Sequence, residues 1–306
     1  MVAELAMGKP LSFIARPDLR QKVRHVAWVN QVSLSARFRC RVIQQETDMT
    51  EKLLTQIKGH TALVTINNPA ANTWDEDNLR ALCELIVELN NDKDIYSLVI
   101  TGQGEKFFSA GADLNQFAQG DKAVARQMAD LFGQAFESLS RFNGVSIAAI
   151  NGYAMGGGLE CAMACDIRIV ESQAVMALPE ATVGLLPCGG GTQNLAWIVG
   201  EGWAKRMILC GERVDADTAL KIGLVEEVVD KGKSLDRALQ LAGQVSNQSP
   251  TSVTACKRLI QSARSGNIAN AYEVERDDFV KLFDSEDQTE GVQAFLEKRK
   301  PQWKNA

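Results

Sequence analysis

Two glutamates occupy settings in which a packed core rarely holds a carboxylate. Glu160 follows three glycines, residues 156–158, within the apolar run LECAMAC, and Glu180 precedes a second triple glycine, residues 189–191. Burial in apolar surroundings raises the pKa of a carboxyl group toward neutrality, which suits general acid–base catalysis. Glu160 alone is also consistent with a carboxylate that interacts with the dipole at the start of a helix.

Glycine turns beside these glutamates offer backbone N–H groups to a ligand. At residues 156–158 a strand pattern ends and a helix pattern begins, and the first N–H groups of a helix lack intrahelical partners. Residues 107–114 (FFSAGADL) also run into small residues, although an ordinary turn would explain this segment alone. Paired carboxylates and backbone donors together suit proton transfer next to a carbonyl, through an enolate. A glycosidase also uses two carboxylates, but it needs no paired amides and is expected to show sugar-stacking aromatic residues, which are absent here.

Other catalytic centres find little support in the sequence. The chain contains two histidines, His25 and His60, and neither lies near a nucleophile motif, which argues against a Ser-His-Asp triad or a histidine-rich zinc site. Cys161 and Cys165 lack further ligands, so we expect no metal. The glycines at 189–191 lack the Gly-Lys-Ser/Thr ending of a phosphate loop and the spacing of a dinucleotide site.

Charge and length limit the class of protein. The formal net charge is -5, and residues 1–48 are basic while the remainder is acidic. An acidic body argues against nucleic acid or an anionic membrane surface as the main partner. No apolar run reaches the length of a membrane span. Seven scattered cysteines indicate reduced thiols and a cytoplasmic protein.

The first 48 residues are excluded from the fold prediction. They are rich in arginine, which is consistent with an organelle-targeting peptide and hence the mitochondrial matrix. The alternative, which we favour, is an upstream extension that is disordered or outside the fold, with the working chain starting at Met49.

Alternating strand and helix patterns predict an α/β fold with mostly parallel strands. The later part changes to amphipathic helices, which indicates a helical C-terminal region. Strands are predicted at 60–67, 96–101, 145–150 and 166–170, and helices at 75–91, 121–142, 234–246, 250–265, 268–284 and 287–298.

The segments NGYAMGGGLECAMACDIRI and LPEATVGLLPCGGGTQ, together with residues 107–114, resemble the crotonase superfamily, also called the enoyl-CoA hydratase/isomerase family. The likeness runs from about Met49 to the C-terminus. It implies a spiral of ββα units over residues 49–245 and a helical region over residues 246–306 that serves trimerisation and covers the active site. It also implies a homotrimer or a dimer of trimers.

The same resemblance implies roles for particular residues. The backbone N–H groups of Ala112 and Gly157 would hold the thioester oxygen. Glu180 would protonate the α-carbon, while Glu160 would hold and deprotonate the attacking water. Residues 68–72 would lie along the CoA nucleotide. The residues expected to contact substrate or CoA are Ala70, Asn72, Ala110, Asp113, Leu114 and Gly156. Coenzyme A would be part of the substrate, and no separate cofactor is expected.

The implied activity is that of an enoyl-CoA hydratase, which adds water across the 2,3 double bond of an enoyl-CoA to give a 3-hydroxyacyl-CoA in fatty-acid or branched-chain amino-acid breakdown.

A double-bond isomerase of the family typically works with one carboxylate, and this chain retains two. A hydroxyacyl-CoA hydrolase has no positive sign in the sequence. An RNA-binding member would use a lysine-rich helix, whereas residues 75–94 are acidic. An inactive scaffold would be expected to have lost a glutamate. Trp74 and Leu178 depart from the common family pattern near the acyl pocket.

Overall fold

A computed structural model describes residues 52–118, 120–264 and 268–306 of the chain. The predictions for residues 1–48 and for a start at Met49 lie outside these described residues.

The described residues form strands and helices in alternation, followed by a run of helices. The strands are β1 (Leu53–Lys58), β2 (Thr61–Ile66), β3 (Ser97–Gly102), β4 (Phe107–Ser109), β5 (Val145–Ile150), β6 (Tyr153–Met155), β7 (Ile167–Glu171), β8 (Val175–Ala177), β9 (Val214–Asp215) and β10 (Glu227–Val229). The α-helices are α1 (Glu76–Asn91), α2 (Lys122–Ser140), α3 (Gly157–Ala164), α4 (Gly191–Leu209), α5 (Ala216–Lys221), α6 (Ser234–Val245), α7 (Pro250–Ser262), α8 (Ile268–Lys281) and α9 (Glu286–Leu296). Short 3-10 turns cover Leu114–Phe117, Glu180–Val183 and Leu282–Asp284.

The strands form two sheets. The larger has the order β1-β2-β3-β5-β7-β10 and is parallel except for the β1–β2 pair. The smaller has the order β4-β6-β8-β9 and is parallel except for the β8–β9 pair. The prediction of an α/β fold with mostly parallel strands and C-terminal helices is therefore confirmed. None of the helices in the described part of the chain combines the length and apolar character that crossing a membrane requires.

The larger sheet is covered on both faces, which explains why its central strands are apolar throughout. On one face α6 packs with Ala238 and Ala242 against β3 and β5. The other face contacts the main core, to which α1, α2 and α3 contribute their apolar sides. Burying this surface provides most of the driving force for folding.

Helix α1 shows how closely a helical pattern predicts an element. Its leucines at 79, 82, 85 and 89 are all buried, as their spacing predicts. The helix starts because Asp75 caps it: the Asp75 side chain accepts a hydrogen bond from the N–H of Asn78, and the Asn78 side chain accepts one from the N–H of Asp75. This capping box satisfies two donors at the helix start.

Several elements differ from the sequence prediction. The sequence does not predict strand β1, because apolar and polar residues do not alternate regularly in it. In the structure Leu53 is buried while Leu54 and Ile57 are exposed. The strands of the smaller sheet have two or three residues, too few for a periodic signal. The helix predicted at 268–284 ends as α8 at Lys281 and continues as the 3-10 turn Leu282–Asp284.

Gly158 lets α3 approach β4 closely. A Cβ atom at Gly158 would lie 2.3 Å from the carbonyl oxygen of Ser109 and 2.8 Å from its Cβ. By contrast, Gly202 in α4 has no neighbouring atom within 4 Å of the corresponding position. The two helical glycines therefore form a matched pair, one required by packing and one not.

We expect Gly158→Ala to lower the free energy of unfolding by about 1–3 kcal/mol, because the added methyl group overpacks the contact between α3 and β4. Gly202→Ala should be neutral or stabilise by up to about 1 kcal/mol, since alanine favours the helix. Urea unfolding at one fixed protein concentration measures both values. Equal effects of the two substitutions would contradict the assigned role of Gly158.

Candidate active site

The smaller sheet brings the three predicted motifs together. Its strands β4, β6 and β8 run parallel, so their C-terminal ends lie at one edge. Residues 110–112 follow β4, residues 156–157 follow β6, and residues 178–180 follow β8. Segments that are far apart in the sequence are thereby placed side by side, as expected for sites at the carboxyl ends of parallel strands.

A cavity of about 300 Å³ opens at this edge. Both glutamates line it, together with the two predicted amide donors and a mainly apolar wall. Its lining comprises Ala110, Ala112, Leu114, Phe117, Phe132, Gly156, Gly157, Glu160, Pro179, Glu180, Thr182, Val183, Leu185, Leu186, Cys188 and Arg213. Mixed linings of this kind, apolar with a few convergent polar groups, are typical of ligand pockets.

The side chain of Glu160 is buried and is held by two backbone N–H groups. It lies in the first turn of α3 and is 2% exposed. Its Oε1 accepts hydrogen bonds from the N–H of Gly189 at 2.8 Å and of Gly191 at 2.7 Å. The pKa of Glu160 is raised to about 7, chiefly by burial; the charge of Glu180 adds to the rise, while the hydrogen bonds from Gly191 and Gly189 oppose it. The carboxyl group therefore titrates nearer to neutral pH than an ordinary glutamate does.

Glu180 begins the 3-10 turn Glu180–Val183 that follows β8. Burial raises the pKa of its carboxyl group, and its Oε2 is a buried atom without a hydrogen-bond partner among the described residues. Gly156 has a φ of +51°, which favours glycine, and a Cβ atom there would lie only 3.0 Å from Oε1 of Glu180. Burial thus makes Glu180 a weaker acid than an ordinary glutamate.

The amides of Ala112 and Gly157 are both directed away from internal partners. Gly157 is the first residue of α3, where an N–H has no intrahelical acceptor. Ala112 forms a bridge with Trp74 in which the hydrogen bonds use the carbonyl of Gly111 and the N–H of Asp113, so the N–H of Ala112 points to the opposite side. The two segments touch, because a Cβ atom at Gly111 would lie 3.1 Å from the nitrogen of Gly157.

The residues predicted to contact substrate or CoA divide into two groups. Ala110, Leu114 and Gly156 line the cavity. The others, Ala70, Asn72 and Asp113, do not line it.

The second group has other positions in the fold. The buried side chain of Asn72 donates to the carbonyls of Gln103 and Phe107, so it holds a loop in place. Asp113 caps the turn Leu114–Phe117 through the N–H of Asn115. Ala70 is exposed outside the cavity lining.

The sequence analysis does not predict three polar side chains of the cavity, those of Thr182, Cys188 and Arg213. Cys188 lies directly before the second triple glycine, and this position was the available signal. Burial and the charges of both glutamates raise the pKa of its thiol to about 11. Arg213 precedes β9, and no local pattern marks it. Trp74 and Leu178 are fully buried and do not line the cavity.

No group of three potential metal ligands is found among the described residues. Cys161 and Cys165 are free buried thiols, and burial raises the pKa of each.

Comparison with known proteins identifies relatives over most of the chain. The family model described as enoyl-CoA hydratase/isomerase matches residues 56–306. The short-chain-enoyl-CoA hydratase of Clostridium acetobutylicum is 38% identical over 244 residues, covering 79% of this chain and 94% of the relative. The 2,3-dehydroadipyl-CoA hydratase of Escherichia coli is 39% identical over 245 residues, covering 79% and 94%. The solved structure of Pseudomonas aeruginosa DspI is 65% identical with a TM-score of 0.83, covering 85% of this chain and 100% of that one.

The raised pKa of Glu160 makes the protein less stable when that group is ionised. At low pH the carboxyl group is protonated in both folded and unfolded states, whereas between its ordinary value of 4.5 and about 7 only the unfolded state releases the proton. Stability is therefore lost as the pH rises through this window. We expect the free energy of unfolding of Glu160→Gln, relative to that of the wild type, to rise by up to about 3 kcal/mol between pH 4.5 and 7.

Chemical denaturation of both proteins from pH 4.5 to 8 measures this difference. Glu137→Gln, at an exposed position on α2, is the matched control and should show no such trend. A stability difference between Glu160→Gln and wild type that stays constant over the whole range would contradict the raised pKa.

Proposed function

This chain belongs to the enoyl-CoA hydratase/isomerase family and is an enoyl-CoA hydratase, and we propose how two glutamates and two backbone amides carry out the hydration. The observation that carries the proposal is the convergence of Glu160, Glu180, Ala112 and Gly157 on one cavity. The product is a 3-hydroxyacyl-CoA, as in the breakdown of fatty acids or branched-chain amino acids. Coenzyme A is part of the substrate, and the chemistry requires no further cofactor.

The amides of Ala112 and Gly157 bind the thioester oxygen. When a nucleophile attacks the β-carbon, negative charge moves to this oxygen as an enolate forms. Two preorganised N–H donors stabilise that charge more than they stabilise the neutral carbonyl, and so lower the barrier. The start of α3 adds the positive end of its helix dipole.

Glu160 acts on the water. Because Gly189 and Gly191 both donate to Oε1, the other oxygen remains to accept a proton from the water that attacks the β-carbon. A pKa of about 7 leaves an appreciable ionised fraction at neutral pH and keeps the group basic enough to accept that proton.

Glu180 supplies the proton for the α-carbon. Burial raises the pKa of its carboxyl group, so Glu180 holds a proton more readily than an ordinary glutamate does, and its Oε2 has no hydrogen-bond partner among the described residues. In the full reaction the π bond of the alkene, one O–H bond of water and the O–H bond of Glu180 break, while a C–O bond forms at the β-carbon, a C–H bond at the α-carbon and an O–H bond on Glu160. Return of a proton from Glu160 to Glu180 restores the starting state.

The alternative activities fit the site less well. A double-bond isomerase typically needs one carboxylate, and this cavity holds two. A hydrolase acting on a hydroxyacyl-CoA gains no specific support. Binding of RNA through α1 is disfavoured, because the exposed face of that helix carries Asp77, Glu84 and Glu88, which repel phosphate.

We expect Glu160→Gln and Glu180→Gln each to lower kcat for crotonyl-CoA hydration by about 10²–10⁴-fold, because each removes one proton-transfer group. Binding of butyryl-CoA, which lacks the double bond, should change less than about threefold, since the amide donors remain. Steady-state kinetics and calorimetry measure the two quantities, with Glu137→Gln as the control. Wild-type turnover in either variant would refute the assigned role.

We also propose that the chain forms a homotrimer or a dimer of trimers through residues 246–306. In support, the C-terminal helices expose large apolar side chains, including Ile260 at 72%, Phe279 at 62% and Phe295 at 83%. Ile260 and Phe279 line one apolar groove between α7 and α8. Exposed apolar clusters of this kind typically mark protein–protein contacts.

Sedimentation should find the wild type as a trimer or hexamer, and Phe279→Asp should shift it toward monomer, because a charge would have to be buried in the contact. Val87→Asp changes an equally exposed apolar residue on α1 and should leave the assembly intact. A monomeric wild type would refute the proposed assembly.

A cytoplasmic or similarly reducing compartment is part of the same proposal. The six cysteines of the described residues are all free thiols, as expected where disulfides do not form. The alternative of the mitochondrial matrix depends on residues 1–48.

A further inference from the structure

Arg213 is the one basic side chain that lines the cavity within the described part of the chain. It is exposed, and it forms no hydrogen bond or ion pair with any described residue. A guanidinium group carries five donors in a planar fork and remains charged at all physiological pH values. An unpaired fork in a substrate cavity is therefore available to an anionic ligand.

The acidic neighbours of Arg213 in the sequence are engaged elsewhere. Glu212 binds Arg206 through two hydrogen bonds of 2.7 and 2.6 Å. Asp215 caps α5 by accepting a hydrogen bond from the N–H of Thr218 at 2.8 Å. Neither Glu160 nor Glu180 forms an ion pair with Arg213, which takes part in none of the ion pairs among the described residues. The charge of Arg213 is consequently not neutralised by the protein residues around it.

The sheet order fixes the place of Arg213 relative to the reacting groups. Because β9 pairs antiparallel with β8 and Val214 lies opposite Met176, Arg213 lies beside Ala177, next to the segment that leads to Glu180. Ala112 follows β4 at the other side of the sheet. Three strand spacings separate β4 from β9, which amounts to about 14 Å.

The segment assigned to the CoA nucleotide lies on the β4 side. Residues 68–72 contact the turn that carries Ala112, residues 110–112, because the N–H of Ala110 donates a hydrogen bond to the carbonyl of Ala71 at 2.9 Å. A thioester bound by Ala112 and Gly157, with its nucleotide toward residues 68–72, extends its acyl chain past Glu180 toward β9. Arg213 then meets the acyl end of the substrate rather than the nucleotide.

We propose that Arg213 binds a carboxylate at the far end of the acyl chain, so that the substrate class includes 2-enoyl-CoA thioesters of dicarboxylic acids. This inference rests on the proposed function, which sets the direction of the acyl chain. The remaining wall near the acyl chain is apolar, with Leu114, Phe117, Val183 and Leu185, so the methylene groups are accommodated by contact. A carboxylate among such residues needs a charged partner, and an arginine fork binds it through two parallel hydrogen bonds.

The test compares two saturated thioesters of equal length, adipyl-CoA and hexanoyl-CoA, which bind but cannot be hydrated. We expect Arg213→Met to weaken adipyl-CoA about tenfold or more relative to hexanoyl-CoA, the effect of losing a charge-assisted hydrogen bond. Arg213→Lys should retain part of the preference. Arg141→Met, an equal change of charge at an exposed site on the end of α2, should behave as wild type. Calorimetric titration gives the four dissociation constants for each ligand.

Two results would overturn the inference. An unchanged ratio of the two affinities in Arg213→Met would show that the guanidinium group does not bind the end of the acyl chain. An equal loss for both ligands would assign Arg213 to a phosphate of the CoA portion that the ligands share. The titration needs no turnover, so it still tests the role of Arg213 if hydration of crotonyl-CoA is not observed. Absence of that hydration would count against the proposed function alone.

The same preference should appear in kinetics. The ratio of kcat/KM for 2,3-dehydroadipyl-CoA to that for trans-2-hexenoyl-CoA should fall in Arg213→Met and should keep its wild-type value in Arg141→Met.

Discussion

The site depends on holding one carboxylate in a buried position without an opposing positive charge. Glu160 satisfies this condition through the N–H groups of Gly189 and Gly191, which share its Oε1. Both must be glycine, because a Cβ atom at Gly189 would lie 2.5 Å from the ring of Phe136 and one at Gly191 would lie 2.7 Å from Oε1 itself. Backbone donors stabilise the ionised form less than a guanidinium or ammonium group would, so the pKa stays near neutrality instead of falling.

The surrounding elements are arranged to keep that geometry. Gly158 lets α3 approach Ser109 closely, so the helix that carries Glu160 lies directly against the strand that precedes Ala112. The cost of the buried carboxylate is offset by the core, in which Phe132 and Phe136 pack edge to face beside the cavity. Cys188 lies in the same environment: burial and the charges of both glutamates raise the pKa of its thiol to about 11, which favours the protonated and weakly nucleophilic form.

How much the sequence predicts depends on how local the signal is. The periodic leucines of α1 and the apolar runs of β3 and β5 predict these elements closely, because each is buried along one face or throughout. Glu160 and Glu180 stand out because carboxylates are costly in apolar surroundings. Arg213 could not be predicted, since its place in the cavity follows from the pairing of the two-residue strand β9 with β8, in which Val214 lies opposite Met176, 38 positions earlier in the chain. Asn72, which the resemblance assigns to CoA, donates hydrogen bonds to two carbonyls of a neighbouring loop, and its contact with CoA stays a prediction.

The residues proposed for catalysis and those proposed for substrate choice lie in different parts of the smaller sheet. The groups that we propose to act on the thioester belong to turns after β4, β6 and β8, and their positions are set by backbone atoms and by glycines that accept no side chain. The groups proposed to face the acyl chain are side chains that line the cavity from the loop after Glu180 and from the residue before β9, such as Leu185, Leu186 and Arg213. Under this proposal, exchanging these side chains would change the charge and shape of the acyl end while the proposed amide donors and the Glu160 hydrogen bonds stay in place. Such an arrangement would let one fold keep one reaction and vary its substrates, because the constraint on the first lies in the backbone and the freedom of the second lies in the side chains.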